Sequence, residues 1–154
     1  MTVYFCDTSA LAKRYSIEKG SVWIQGITAP SARNRIFLAQ ITPVEIVSAL
    51  ARKEREKTVT ARSRQAAMLL LERHVKREYV VVRFTDLVER EAKRLLITYP
   101  LRAFDAIQLA SAITANRGLL GTPAAPLIFL ASDKQLQRAA LSEGLQVDDP
   151  HNYP

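Results

Sequence analysis

Val3-Tyr4-Phe5-Cys6-Asp7-Thr8-Ser9-Ala10-Leu11 holds a strand, a charge and a helix start in one short stretch. The first four residues are apolar or aromatic without interruption, which reads as a strand buried on both faces. A carboxylate follows at once, and a helical pattern opens at Thr8 and runs over residues 8–15. The same alternation continues along the chain. A second strand is predicted over residues 36–41 and a helix from 43 to about 56. Residues 60–77 form a longer helical pattern, with Ala66, Ala67, Leu70 and Leu71 sharing one face. The clearest strand covers 80–84. Helices follow over 86–97 and 103–116, and Pro100 separates them by ending the first. Two glycines and two prolines make 118–126 a loop. Residues 127–130 give a fourth strand, 133–142 a helix and 145–147 a short last strand. Strands that are apolar throughout, with helices between them, imply an α/β fold: a three-layer α/β/α sandwich around a mainly parallel sheet of about five strands. With no repeat, linker or low-complexity tract, residues 1–154 read as a single domain.

Composition narrows the function. Of 154 residues, 48% are hydrophobic and 24% charged, which is globular composition and excludes a disordered chain. Lysine and arginine exceed the acids by 22 to 15, a net charge of +7 that favours polyanionic partners. A lone cysteine, Cys6, makes no internal disulfide and reads as a small buried hydrophobe. His74 and His151 are the only histidines, which disfavours histidine–cysteine zinc sites and histidine-based triads. His74, inside a basic stretch, is expected at the surface. No secretory signal or membrane span is legible, so a soluble cytoplasmic protein with no membrane partner is expected.

Ligands of a parallel sheet bind beyond the carboxyl ends of its strands. Asp7 follows the first strand, Glu45 opens the helix after the second, Asp133 follows the fourth, and Asp105 lies in the first turn of the helix beginning near Ala103. Each also has a plain structural reading. Thr42-Pro43-Val44-Glu45 has the form of a capping box. Asp7 and Asp133 stand at N-cap positions, and Asp105 suits a helix dipole. Four carboxylates in one cleft repel one another unless protonated or neutralised by a cation. Oxygen-only sites of that kind suit magnesium or manganese.

The segments Asp7-Thr8-Ser9-Ala10-Leu11, Glu45-Ile46-Val47-Ser48-Ala49-Leu50 and Leu101-Arg102-Ala103-Phe104-Asp105-Ala106-Ile107-Gln108-Leu109-Ala110 resemble three signature blocks of the PIN domain. Ala131-Ser132-Asp133-Lys134-Gln135-Leu136, with Ala139-Ala140 and Gly144-Leu145, resembles its fourth. The blocks stand in family order across residues 3 to about 147, and the size without an appended domain resembles VapC-type toxins. The resemblance implies a metal-dependent endoribonuclease, the toxin of a toxin–antitoxin pair. Its catalytic and metal-binding acids would be Asp7, Glu45, Asp105 and Asp133, holding one or two Mg2+ or Mn2+ ions. Ser9 matches a hydroxyl position that supports the first aspartate. Products would carry 5′-phosphate and 3′-hydroxyl ends, and the implied partners are an RNA substrate, a cognate antitoxin protein and a second copy in a homodimer.

Two positions depart from the pattern. Ala131 stands where threonine or serine is common, with Ser132 beside it to supply a hydroxyl. Gln108 stands where histidine is common. Asp148-Asp149, next to Pro150, reads as a solvated tail.

Residues 52–77 carry nine basic residues against three acids, most of the net charge. Arg52, Arg55 and Arg62 from this stretch, with Arg102 near Asp105, are the candidate nucleic-acid contacts. The alternative is a solvated hairpin with pairs such as Arg52–Glu56. Trp23-Ile24 and Ile46-Val47-Leu50 are candidates for the antitoxin contact, and equally ordinary core. Two other classes compete: a catalytically silent PIN-like module that binds RNA or protein, and a phosphotransfer domain using Asp7. Asp7-Thr8-Ser9 lacks the second aspartate of the haloacid-dehalogenase pattern, and the chain has no P-loop.

Overall fold

β1 (Val3–Cys6) lies at the centre of a five-stranded sheet with β2 (Arg35–Ala39), β3 (Tyr79–Val82), β4 (Ile128–Leu130) and β5 (Gln146–Asp148). The strand order is β3-β2-β1-β4-β5, and every neighbouring pair is parallel. The structure is a computed structural model and describes residues 1–123 and 126–154. The expected loop over 118–126 begins later, because the preceding helix runs on to Leu119; residues 124 and 125 of that loop lie outside the described residues.

The three inner strands are apolar apart from Arg35 at the start of β2, because both faces of the sheet are covered there, while the edge strand β5 carries Gln146 and Asp148. Val3, Phe5, Phe37, Ala39, Leu127 and Phe129 point into one core, shared with α5 (Asp86–Thr98), α6 (Ala103–Leu119) and α7 (Lys134–Ser142). Cys6, Ile36, Leu38 and Leu130 alternate to the other face. There they meet α1 (Thr8–Leu11), α2 (Ser21–Thr28), α3 (Thr42–Arg55) and α4 (Ala61–Arg77). Phe5 and Phe129 stack across β1 and β4 with ring centroids 5.8 Å apart. The predicted three-layer sandwich is the fold found.

Several local readings change. The helix expected over 8–15 is α1 alone, followed by a 3-10 turn at Ala12–Arg14. α4 buries Ala67 and Leu71, while Ala66 is exposed and Leu70 is 48% exposed, so its inward stripe is narrower than predicted. The capping box at Thr42 does not form: Thr42 is already helical and fully buried, and the helix is preceded by Ile41 without a side-chain cap. Caps form instead at Thr60, Thr85 and Asp133, each accepting a backbone N–H three residues on.

His74 is not a free surface residue. Its Nδ1 lies 2.8 Å from the Tyr15 hydroxyl, in a knot that also holds Tyr79, Arg14 and Glu78. Asp149 is not a solvated tail either. It is 4% exposed, accepts from Lys134 Nζ at 2.6 Å and from the His151 amide at 2.9 Å, and caps the 3-10 turn Pro150–Asn152. Burial opposes its ionisation, but these donors outweigh burial and hold its carboxyl down at about 2.

The tail closes over Gly20, whose φ of +87° suits glycine, and a Cβ there would sit 2.4 Å from the Pro150 carbonyl oxygen. Gly20→Ala is therefore expected to destabilise the fold by about 1–3 kcal/mol, because both the backbone conformation and the close approach are lost. Thermal melting checks this; at ~2–4 °C per kcal/mol for a domain of this size, an unchanged melting temperature would show that the tail is not docked on Gly20.

Candidate active site

The sheet order reverses at β1: β2 and β3 lie on one side, β4 and β5 on the other. A crevice at such a switch point is bounded by the chain ends leaving β1 and β4. Asp7 leaves β1 and Asp133 leaves β4, while α3 and α6 bring Glu45 and Asp105 to the same place. All four carboxylates line one cavity of about 720 Å³.

Asp7 reads both as a cap and as a site acid, and the geometry combines the two. Its Oδ2 accepts from the Ser9 amide at 2.9 Å and the Ser9 hydroxyl at 2.5 Å. Ser9 Oγ in turn accepts from the Ser132 amide at 2.9 Å, tying the β1 end to the β4 end. Burial raises the Asp7 carboxyl to about 6; the Ser9 bonds pull it down, and the nearby Glu45 and Asp105 push it up. Burial likewise pushes the Cys6 thiol up to about 12, which keeps it an inert core group.

Glu45 Oε2 accepts from the Thr8 hydroxyl at 2.7 Å and the Gln108 amide at 2.6 Å. Asp105 Oδ2 accepts from Arg102 Nε at 3.2 Å, and Asp133 Oδ1 accepts from the Leu136 amide at 2.8 Å. Among the described residues, each of the four acids thus has one oxygen held by a protein donor and the other without such a bond. Ser132 Oγ is buried in the same wall with no hydrogen-bond partner among the described residues. Hard oxygen donors, a buried anion resisting ionisation and an orphaned hydroxyl fit a divalent cation. As the side chains stand, however, no three His, Cys, Asp or Glu residues among those described are gathered closely enough to hold one ion.

The rim of the cavity is cationic. Arg52, Lys53 and Arg102 line it, with Lys13 and His151 at its wall. Lys13 is 2% exposed, with Nζ 3.0 Å from His151 Nε2 and 3.4 Å from Glu18. Arg55 and Arg62 are exposed but do not line the cavity, so two of the four predicted cationic contacts line it and two do not, and of the two, Arg102 bonds one of the acids. Arg52 also makes the expected pair with Glu56, at 4.0 Å. Of the residues read as antitoxin-contact candidates, Ile24, Ile46 and Leu50 are buried core, while Trp23 and Val47 are half-buried beside it.

Gln108, Thr8, Lys13 and His151 have no site role in the sequence reading. Only Gln108 carries a sequence signal: it stands three residues after Asp105 and so shares its helix face.

Fold and site together define a parallel α/β/α domain with an acid-lined cleft at its switch point. The chain belongs to the PIN domain family, whose model matches residues 4–140. Among solved structures it is similar to VapBC2 from Rickettsia felis bound to a DNA fragment from their promoter. That match has a TM-score of 0.65 at 10% identity, covering 96% of this chain and 98% of the other. It is similar to FitAcB from Neisseria gonorrhoeae, with a TM-score of 0.66 at 14% identity over 97% and 98% of the two chains. A third likeness is to VapBC-5 from Mycobacterium tuberculosis, a member of the VapBC family of toxin-antitoxin systems. Its TM-score is 0.56 at 18% identity, over 97% and 98%. At these identities the likeness is one of fold. No curated protein matches the chain. Among the described residues, no helix is long and apolar enough to cross a membrane.

Proposed function

We propose that this chain is a divalent-metal-dependent endoribonuclease, the toxin of a toxin–antitoxin pair. The observation that carries the reading is the convergence of Asp7, Glu45, Asp105 and Asp133 on one cavity with a cationic rim. Asp7, Glu45, Asp105 and Asp133 would hold one or two Mg2+ or Mn2+ ions, which supply charge neutralisation and an acidified water when bound. Ser9 keeps one oxygen of Asp7 engaged and leaves the other for a cation. Arg102, Arg52 and Lys53 draw the phosphodiester backbone toward the acids, where carboxylates alone would repel it. No side-chain nucleophile is required, which accords with the buried thiol of Cys6. PIN membership and the similarity to VapBC structures support the toxin role, and with it a cognate antitoxin and a homodimer in the cytoplasm.

The test is cleavage of mixed cellular RNA by purified protein with Mn2+ or Mg2+, with EDTA, and with Asp105→Asn alongside. Cleavage that needs metal and disappears in the variant is the expected result. Equal inertness of both proteins would favour a silent binding module, and trapping a phosphoaspartate on Asp7 would favour phosphotransfer.

A further inference from the structure

Gln108 is fully buried on α6, yet its side chain spends its polar groups on three residues of two other helices, α1 and α3. Nε2 lies 2.6 Å from Glu45 Oε2, 2.9 Å from Thr8 Oγ1 and 3.0 Å from Thr42 Oγ1, so its two N–H groups are shared among three acceptors. The Thr42 hydroxyl lies 3.2 Å from Gln108 Oε1 as donor. Thr8 donates to the same Glu45 oxygen at 2.7 Å. Thr42 is fully buried as well. A buried amide with satisfied donors is costly to disturb, and this one is bonded to a residue facing the cavity.

We infer that Gln108 is a positioning residue for Glu45: with Thr8 it holds Oε2, so that Oε1 alone is presented to the cavity. The inference rests on the metal-dependent reading of the site and adds to it a residue that touches neither cation nor RNA. A carboxylate pinned at one oxygen has lost most of its freedom before a cation arrives. Outer partners of this kind change metal affinity or activity by ~10–100-fold when removed. The same geometry explains why α6 places an amide among the buried residues from Ala106 to Ile113, where the other buried polar residue, Ser111, donates back to its own helix at Ile107.

Mn2+ binding to the purified chain, measured by titration calorimetry without RNA, tests the inference. Gln108→Met keeps length and removes both N–H donors; it is expected to weaken Mn2+ binding by ~10–100-fold. Gln108→His restores a donor and is expected to recover most of the affinity. Thr8→Val, which removes only the second donor to Oε2, is expected to weaken binding less than Gln108→Met and gives the readout if the methionine variant does not fold. In RNA cleavage the loss is expected in kcat, with KM for RNA unchanged. Wild-type-like Mn2+ affinity in folded Gln108→Met, or in Thr8→Val where the former does not fold, would overturn the positioning role while leaving the nuclease reading intact. A wild-type chain that takes up no Mn2+ would overturn both.

Discussion

Asp7→Asn is expected to abolish RNA cleavage and, in the metal-free protein at neutral pH, to raise the melting temperature. The two effects share one cause. Asp7 is 5% exposed, and its carboxyl is raised from 3.8 to about 6, chiefly by burial. Between those values the folded protein binds more protons than the unfolded chain, so stability falls as pH rises through the window. Above about pH 6 the penalty is complete, on the order of 3 kcal/mol for about two units. Asparagine keeps an oxygen for Ser9 and carries no charge, so the penalty disappears. At ~2–4 °C per kcal/mol, the variant is expected to melt several degrees higher at pH 7.5 and no higher near pH 4. On the proposed metal-dependent mechanism, cleavage is expected to fall ~100-fold or more, because the cation would lose a ligand and its contribution of several kcal/mol to the barrier. Melting curves from pH 4 to 8 beside an RNA cleavage assay check both. A variant that still cleaves would sink the catalytic role of Asp7. One that melts with wild type at every pH would sink the buried-charge account.

Millimolar Mn2+ or Mg2+ is expected to raise the melting temperature of the wild-type protein at pH 7.5, and to do so less at pH 5. A cation binding only the folded state stabilises it by about 2.7 kcal/mol at one hundred times its dissociation constant. That corresponds to ~5–10 °C here. At pH 5 Asp7 is largely protonated, and the proton must leave before the carboxylate binds, so affinity falls. Asp7→Asn is expected to lose most of the shift. No three of the described acids stand close enough together to hold one ion, so a bound cation is expected to draw them closer. No shift at either pH would count against the metal-dependent reading of the site, as would the absence of Mn2+ uptake in calorimetry.

The sequence reading found what is written locally. Short apolar, β-branched or aromatic runs between helical patterns mark strands covered on both faces, and Val3–Cys6 is found at its predicted bounds. Asp7, Glu45, Asp105 and Asp133 were legible because each stands at the junction of a strand or turn with a helix, where a parallel sheet collects ligands. Where local rules failed, a distant partner had prevailed. The Thr42 hydroxyl lies 66 residues from Gln108, to which it bonds in place of a capping box. His74 is taken up by Tyr15, 59 residues away. Lys134 turns a short acidic tail into a buried strap.

The sequence by itself determined the layers, the parallel sheet and which four acids would meet at one cavity, because hydrophobic period and helix starts depend on neighbours a few residues apart. Only the tertiary structure decided which oxygen of Glu45 is engaged. It also decided that Gln108 rather than Thr42 serves Glu45, and that Arg52 and Arg102 reach the cavity while Arg55 and Arg62 do not. Those choices depend on side chains up to 100 residues apart meeting in space. A buried polar group takes whichever partner packing brings within 3 Å, and no local pattern in the chain encodes that meeting.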